Sequence, residues 1–328
     1  MKARVENFTK QLKEAKAIAD KAVISESKNI KNILITGLGG SGIGGTIISE
    51  LISDSCNVPV TINKDYFLPA FVDESTLVII SSYSGHTEET LSAMQVAISK
   101  KAQIVCITSG GKVLDLAKQH QFDFIEIPGG MPPRSCIGFG LVEMIKVLVA
   151  KGFADKKLFS DLEKGITLLD KEKEAIKAEA QKLAVHFVKK FPILYSLGSC
   201  EGTVVRFRQQ INENSKMLCS HHTFPEMNHN ELVGWTTKND DLIVVTFHTS
   251  FDYARTKRRY EVCKPIFEKY SSGVIDIVAK GESKLEQFLY LIHIGDWISC
   301  YIADLRGIDP VEVNVIDHLK AELSKFSN

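Results

Sequence analysis

"NILITGLGGSGIGGTIISELI", Asn32 to Ile52, decides the fold because it joins a short apolar run, a glycine-rich turn and a helical pattern. The apolar run before the turn predicts a buried strand, and the apolar spacing after the turn predicts a helix. The same order recurs in "STLVIISSYSGHTEETLSAMQVAISKK", Ser75 to Lys101, where a polar loop replaces the glycine-rich turn. Strands that alternate with amphipathic helices predict a parallel sheet that helices cover on both faces.

The second half of the chain repeats this organisation. "FPILYSLGSCEGTVVRFRQQI", Phe191 to Ile211, again joins a strand, a turn with glycine and a helix. "DDLIVVTFHTSFDYARTKRRYEVCK", Asp240 to Lys264, echoes the strand with the polar loop. A helical, highly charged stretch separates the two halves. The sequence therefore predicts an α/β protein with an N-terminal domain over residues 1–150, a helical connector over 151–185 and a diverged second domain over 186–328.

The composition of the chain limits which partners and which compartment are expected. Its 328 residues are enough for two domains with ordinary cores, and its 40 basic residues balance 40 acidic ones. A neutral balance gives no electrostatic reason for a nucleic acid or a membrane as the main partner. The charged N-terminus has no signal-peptide core, and no run of about 18 apolar residues predicts a transmembrane helix. The seven cysteines are scattered without a CxxC pair, so a reducing cytoplasm is the expected compartment.

Two polar loops follow strands of the first predicted sheet, at the edge where open parallel sheets bind ligands. "GLGGSGIGG", Gly37 to Gly45, lets the backbone approach a ligand closely. The second loop supplies the hydroxyls of Ser82, Ser84 and Thr87. Each loop ends at a predicted helix N-terminus, whose free N–H groups favour an anion. The two loops together predict a phosphate site that needs no cationic side chain.

Two other interpretations of these loops stay open from the residues alone. The glycines of Gly37-x-Gly39-x-x-Gly42 match the pattern of a dinucleotide site. Asp65 lies at about the right distance downstream, but it falls past the predicted strand, and a dinucleotide gives no reason for a second hydroxyl loop. Glycine and serine are also common turn residues without any ligand.

The segment from Arg206 to Trp235 contains the densest group of candidate reactive side chains. Glu213 lies near the end of a well-patterned helix, where a carboxylate is often only a solvated surface residue. His229 is surrounded by amides and a carboxylate, which makes it an acid–base candidate. A metal site is an alternative, although the spacings match no zinc pattern. Its candidate ligands are His221, His222, Glu226, His229 and Glu231.

Two cations elsewhere complete the set of candidates. Arg134 in "GGMPPRSCIGFG" follows two prolines at a predicted domain edge, where it would contact an anion or only solvate the loop. Lys320 lies in the predicted last helix, where a lysine taken alone is usually a surface residue.

These motifs resemble those of a known family. "GLGGSGIGG" with "SYSGHTEETL" resembles the sugar-isomerase (SIS) domain, and "ENSK…PEMNHNE" with "DPVEVNVIDHLK" is similar to the bifunctional phosphoglucose/phosphomannose isomerases. The resemblance covers about residues 30 to 322, nearly the whole chain. It implies two tandem SIS-type domains, each a mainly parallel five-stranded sheet flanked by helices, as in flavodoxin.

The resemblance also implies a role for each candidate. The catalytic residues would be Glu213, His229 and Lys320, and the substrate-binding residues would be Gly40, Ser41, Ser82, Ser84, Thr87 and Arg134. The implied activity is isomerisation of glucose 6-phosphate or mannose 6-phosphate to fructose 6-phosphate through a cis-enediolate, without a metal or an organic cofactor. In this scheme Glu213 moves a proton between C2 and C1, and Arg134 stabilises the enediolate. His229 and Lys320 assist ring opening.

The family resemblance further implies a homodimer in which His229 is contributed across the interface. Two residues depart from the family pattern: His86 stands where asparagine or another small polar residue is usual, and Ser215 stands where alanine is common. His86 leaves the ligand preference of the hydroxyl loop open. The main alternative is a phosphosugar sensor of the same fold, which binds its ligand without converting it. Such a sensor has no use for Glu213, His229 and Lys320 together.

Overall fold

The computed structural model describes residues 1–27, 29–198 and 200–326. These residues form two parallel β-sheets, one in each half of the chain, and α-helices pack on their faces. A continuous hydrophobic core extends from the helices of the first half to the helices and strands of the second.

The first sheet is the flavodoxin-like sheet that the sequence predicts. Its strands are β1 (Asn32–Thr36), β2 (Val60–Asn63), β3 (Thr76–Ser82), β4 (Gln103–Thr108) and β5 (Asp123–Glu126). All pair in parallel, in the order β2-β1-β3-β4-β5. The central strand β3 is buried along its whole length because helices cover both faces of the sheet. The order reverses between β1 and β3, which is where sheets of this kind bind ligands.

Two helices of the first half precede β1, and the other four alternate with the strands as expected. They are α1 (Lys2–Glu6), α2 (Phe8–Lys21), α3 (Gly39–Ile52), α4 (Glu88–Ser99), α5 (Gly111–Gln119) and α6 (Ile137–Ala150). The glycine-rich turn joins β1 to α3, and the hydroxyl loop joins β3 to α4. Both loops therefore lie at the carboxyl edge of the first sheet, as predicted.

The second sheet has four strands among the described residues, where five were expected. Its strands are β6 (Phe191–Ser196), β7 (Ser220–Thr223), β8 (Leu242–His248) and β9 (Val274–Val278). They pair in parallel in the order β7-β6-β8-β9. This order matches β2-β1-β3-β4 of the first sheet, with no counterpart of β5. The helices are α7 (Lys157–Ala184), α8 (Glu201–Ser215), α9 (Ala254–Tyr270), α10 (Lys284–Arg306) and α11 (Asn314–Leu323). Helix α7 overlaps the predicted connector, and the domain boundaries remain predictions.

The missing fifth strand has a local cause. Ser283 and Glu286 form a capping box that starts α10 soon after β9, so the chain enters a helix where another strand would begin. Helix α10 is apolar on nearly all sides and packs between α7 and α8. By length and composition it would be able to cross a membrane, but 83% of its most apolar window is buried within the fold.

Two glycines let the helices around α8 approach closely. A Cβ added to Gly202 of α8 would lie 2.9 Å from Cγ1 of Ile47 on α3. A Cβ added to Gly295 of α10 would lie 3.0 Å from the ring of Phe207 on α8. Interiors pack densely, so these contacts hold α8 between the two halves. The C-terminal end of α8 is thereby brought towards the ligand-binding edge of the first sheet.

Candidate active site

The glycine-rich turn allows two loops of the first half to meet. A Cβ added to Gly40 would lie 2.8 Å from the backbone nitrogen of Arg134 and 2.8 Å from the carbonyl group of Pro133. Glycine is the residue that fits here without displacing the loop that carries Arg134. Gly40 and Arg134, which belong to separate sequence motifs, are therefore backbone neighbours.

The hydroxyl loop after β3 packs against the first turn of α3. Ser41 Oγ accepts a hydrogen bond from the backbone N–H of Tyr83 at 3.0 Å, and Ser81 Oγ donates to the Ser41 carbonyl at 3.1 Å. Ser82 is the buried last residue of β3, and its Oγ donates to Thr87 Oγ1 at 3.4 Å. The predicted ligand-binding residues of both loops thus lie at one edge of the sheet.

The hydroxyl loop ends at the N-terminus of α4. Thr87 is the N-cap residue of this helix, and its side chain does not cap the first-turn N–H groups. Ser84 is exposed in the same loop, and its Oγ accepts the backbone N–H of His86 at 3.2 Å. First-turn N–H groups and the positive end of the helix dipole favour an anion. This edge therefore has the chemistry of a phosphate site.

His86, the residue in this loop that departs from the family pattern, contacts the neighbouring helix. A Cβ added to Gly111, the first residue of α5, would lie 2.8 Å from Nε2 of His86. The imidazole ring therefore occupies the space that the glycine leaves open. This contact explains how the loop accommodates a larger side chain without losing a hydroxyl.

Tyr83 ties the hydroxyl loop to the segment that precedes Arg134. Its hydroxyl donates to the carbonyl of Pro128 at 3.0 Å and accepts the N–H of Met131 at 3.1 Å. Burial raises the pKa of Tyr83 to about 12, so the phenol remains a neutral donor. Tyr83 was not among the predicted site residues. Its only sequence signal is an aromatic side chain inside an otherwise polar loop.

Arg134 reaches from the first half of the chain into the second. Its Nη1 donates to Glu213 Oε2 at 3.3 Å, at the C-terminal end of α8. The Arg134 side chain is 5% exposed and that of Glu213 is 26% exposed, so the carboxylate is open to solvent while its cationic partner is not. Two candidates that lie 79 residues apart in sequence are in direct contact.

Further contacts hold the guanidinium group of Arg134. Nε donates to Asn214 Oδ1 at 2.9 Å, and Nη2 donates to the carbonyls of Pro310 at 2.9 Å and Val311 at 2.8 Å. These partners were not among the predicted site residues. Backbone carbonyls carry no sequence signal, and the only signal for Asn214 is its position beside Glu213.

Lys320 follows a chain segment that contacts Arg134. Val311, whose carbonyl binds Arg134, precedes α11 by three residues, and Lys320 lies on α11. Lys216 Nζ donates to the carbonyls of Glu213 and Glu312, each at 2.7 Å, and so also ties this segment to α8. Helix α11 is exposed along its length, and Lys320 Nζ has no hydrogen-bond partner in the part of the chain that the structure describes.

His229 lies on an exposed loop, and the buried Tyr195 anchors the turn that follows it. It ends a 3-10 turn (Glu226–His229) after β7. The next turn is fixed because Tyr195 donates a short hydrogen bond to Glu231, and Trp235 Nε1 donates to the Tyr195 hydroxyl at 3.2 Å. The His229 ring has no hydrogen-bond or ion-pair partner among the described residues. Within one chain the structure therefore does not join His229 to the other candidates.

The metal and dinucleotide interpretations find little support in the geometry. Across residues 1–27, 29–198 and 200–326, no three His, Cys, Asp or Glu side chains gather to hold a metal ion. Two of the candidate metal ligands already have protein partners. Glu231 accepts a hydrogen bond from the Tyr195 hydroxyl, and His222 Nδ1 accepts the backbone N–H of Thr223 at 2.7 Å. Asp65 lies beyond β2, and its carboxylate accepts the N–H of Tyr66 at 2.6 Å.

Comparison with known proteins identifies the family. A model of the SIS domain matches residues 26–129, and a model of the bacterial phospho-glucose isomerase C-terminal SIS domain matches residues 176–323. The chain is 37% identical over 336 residues to the bifunctional phosphoglucose/phosphomannose isomerase of Caldicellulosiruptor bescii, with 99% of both chains covered. The chain belongs to the bifunctional phosphoglucose/phosphomannose isomerase family. A relative of the same name from Aquifex aeolicus is 38% identical, with 90% of this chain and 92% of the relative covered.

The fold of this family member is shared more widely. The structure of tagatose-6-phosphate ketose/aldose isomerase from Escherichia coli superposes with a TM-score of 0.70 at 13% identity, covering 94% of this chain and 92% of that one. At this identity the likeness concerns the fold alone. The predicted family and the predicted pair of parallel SIS-type domains are confirmed.

Proposed function

We propose that the protein is an aldose–ketose isomerase that interconverts glucose 6-phosphate or mannose 6-phosphate with fructose 6-phosphate. The observation that carries this proposal is the contact between Glu213 and the buried Arg134, whose segment is tied to the hydroxyl loop through Tyr83. A partly exposed carboxylate next to a fixed cation suits proton abstraction from a carbon whose neighbouring oxygen gains negative charge. Family membership supports the same activity.

In the proposed complex the hydroxyl loop binds the 6-phosphate. Ser82, Ser84 and Thr87 supply hydroxyl groups, and the N-terminus of α4 supplies backbone N–H groups. Gly40 and Ser41 contact the sugar from the glycine-rich turn. Hydrogen bonds from these groups and the helix dipole stabilise the phosphate, so the proposed site does not depend on a lysine.

Glu213 acts as the base in the open-chain form. It removes the proton from C2, the electrons of that C–H bond form the C1–C2 double bond, and the C1 carbonyl oxygen takes up negative charge. Arg134 stabilises this cis-enediolate, and a proton moves from the oxygen on C2 to the oxygen on C1. Glu213 then returns its proton to C1 and the C2 carbonyl forms. C1 is reduced and C2 is oxidised within one molecule, so the reaction needs no external oxidant or reductant.

Glucose 6-phosphate and mannose 6-phosphate differ only at C2. Loss of the C2 proton gives both sugars the same enediolate, so one site can serve both. His229 and Lys320 are proposed to assist ring opening by moving the proton between the ring oxygen and the C1 hydroxyl. We further propose a cytoplasmic homodimer in which His229 serves the neighbouring site. The exposure of His229 and its separation from the other candidates within one chain support this arrangement.

The activity is tested by giving the purified protein each sugar phosphate separately, with EDTA present, and measuring fructose 6-phosphate. Product from both sugars is expected. Product from only one would remove the bifunctional part of the proposal, and binding without product from either would favour a phosphosugar sensor. Glu213→Gln is expected to lower kcat by roughly 10³-fold with little change in binding.

The shared site is tested by mixing two inactive variants. Glu213→Gln and His229→Ala are unfolded together and refolded as a mixture, so that mixed dimers form. A mixed dimer has one site with both native residues if His229 acts across the interface, and random pairing then restores about a quarter of native activity. If His229 acts within its own chain, no site is complete and activity stays at the level of the single variants.

A further inference from the structure

The guanidinium group of Arg134 is almost fully committed to protein partners. A guanidinium has five N–H donors. Among the described residues, Nε binds Asn214, Nη2 binds the carbonyls of Pro310 and Val311, and Nη1 binds Glu213. One N–H on Nη1 therefore remains, on the same nitrogen that contacts the proposed base. The direction of this N–H is set by the plane of the guanidinium group.

Asn214 is the side chain that fixes this plane at Nε. It is completely buried on α8, and Oδ1 accepts from Arg134 Nε at 2.9 Å. Its Nδ2 donates to Ser299 Oγ on α10 at 3.0 Å, and Ser299 Oγ donates in turn to the Asp296 carbonyl at 2.7 Å. Because the hydroxyl proton of Ser299 is committed, Ser299 can only accept from Asn214. The amide is therefore oriented with its oxygen towards Arg134.

The backbone of Arg134 is held by the same two helices. Arg206 Nη2 donates to the Arg134 carbonyl at 3.0 Å and to Asp296 Oδ2 at 2.7 Å. Gln210 Nε2 donates to Asp296 Oδ1 at 2.9 Å. Arg206 and Asp296 are both buried, so this ion pair is shielded from water. Helices α8 and α10 thus restrain Arg134 at its carbonyl and at its side chain.

We propose that Asn214, oriented by Ser299, is a positioning residue that aims the remaining Nη1 N–H of Arg134 at the developing enediolate. This inference rests on the proposed role of Arg134 in isomerisation. Preorganised donors lower a barrier because they need no reorganisation when the charge appears, and small misplacements are costly. Without Asn214, Arg134 keeps its charge and its other partners, but the plane of its guanidinium group is no longer fixed at Nε.

The first experiment measures kcat and KM for Asn214→Ala and Ser299→Ala. For Asn214→Ala, kcat is expected to fall roughly 10- to 100-fold while KM changes less than about 3-fold. For Ser299→Ala a smaller fall in kcat is expected, since the amide remains but can turn; this variant keeps the test available if Asn214→Ala does not fold. The matched control is Ser215→Ala, because Ser215 is equally buried and donates to the Ser299 carbonyl at 2.8 Å on the same helix contact. Its kcat is expected to stay native even if its melting temperature falls.

The second experiment repeats Asn214→Ala in an Arg134→Lys background. Lysine keeps the positive charge but has no Nε donor for Asn214 to orient. If Asn214 acts through Arg134, its removal should then change kcat by less than about 3-fold. An equal fall in both backgrounds would overturn the proposal, as would a fall in kcat for Ser215→Ala that matches that of Asn214→Ala. A native kcat in Arg134→Lys alone would instead overturn the role of Arg134, and an inactive wild-type protein would overturn the proposed function.

Discussion

Replacement of Glu143 by glutamine is expected to stabilise the protein, and to do so more strongly as the pH rises. Glu143 lies on α6, which begins just after the loop that carries Arg134, and its side chain is fully buried. Neither carboxylate oxygen has a hydrogen-bond partner among the described residues. Burial raises the pKa of Glu143 from its ordinary 4.5 to about 8. The folded chain therefore keeps a proton that the unfolded chain releases at a much lower pH.

The magnitude follows from proton linkage. Between pH 4.5 and about 8 the folded state binds more protons at Glu143 than the unfolded state does, so the free energy of unfolding falls as the pH rises. One pKa unit corresponds to about 1.4 kcal/mol. From about pH 5.5 to about pH 8.5, Glu143 lowers the free energy of unfolding by about a further 3 kcal/mol. The loss is not larger because the folded carboxyl itself begins to ionise near the upper limit. Glutamine does not ionise and escapes this loss.

The assay is urea unfolding followed by far-UV circular dichroism and tryptophan fluorescence at both pH values. The free-energy difference between Glu143→Gln and wild type should favour the variant by about 3 kcal/mol more at about pH 8.5 than at about pH 5.5. Glu174→Gln is the matched control, because the side chain of Glu174 on α7 is 79% exposed and its replacement should give no such growth. An equal difference at the two pH values for Glu143→Gln would refute the reasoning.

Three further predictions concern the site. Gly40→Ala should lower kcat/KM by at least about 10-fold in steady-state assays, because the added Cβ would lie 2.8 Å from the backbone of the Arg134 loop; native kinetics would contradict this. Tyr195→Phe removes the hydroxyl that anchors the loop of His229 and should lower kcat roughly 10-fold, and an unchanged kcat would show that this anchor does not matter. Ser82→Ala should raise KM for the sugar phosphate about 10-fold with a smaller effect on kcat, and isothermal titration with inorganic phosphate should show the same loss of affinity.

The strand–turn–helix units were predictable from the sequence because their signals are local. A run of β-branched residues such as that of β1 specifies a strand, and the glycines that follow permit the turn into α3. The number of strands in the second sheet was not predictable from the repeat alone. The capping box at Ser283 commits the chain to α10 after β9, whereas the expectation of a fifth strand came from the family resemblance.

The candidate site divides in the same way. The sequence by itself determined the family, the parallel α/β units and the hydroxyl loop that follows β3, because these depend on residue types and motifs. Only the tertiary structure decided that Arg134 contacts Glu213, that Gly40 touches the Arg134 loop, and that Asn214 orients the guanidinium group. Local signals act over a few residues, whereas these contacts join segments of the chain that only helix packing around α8 brings together.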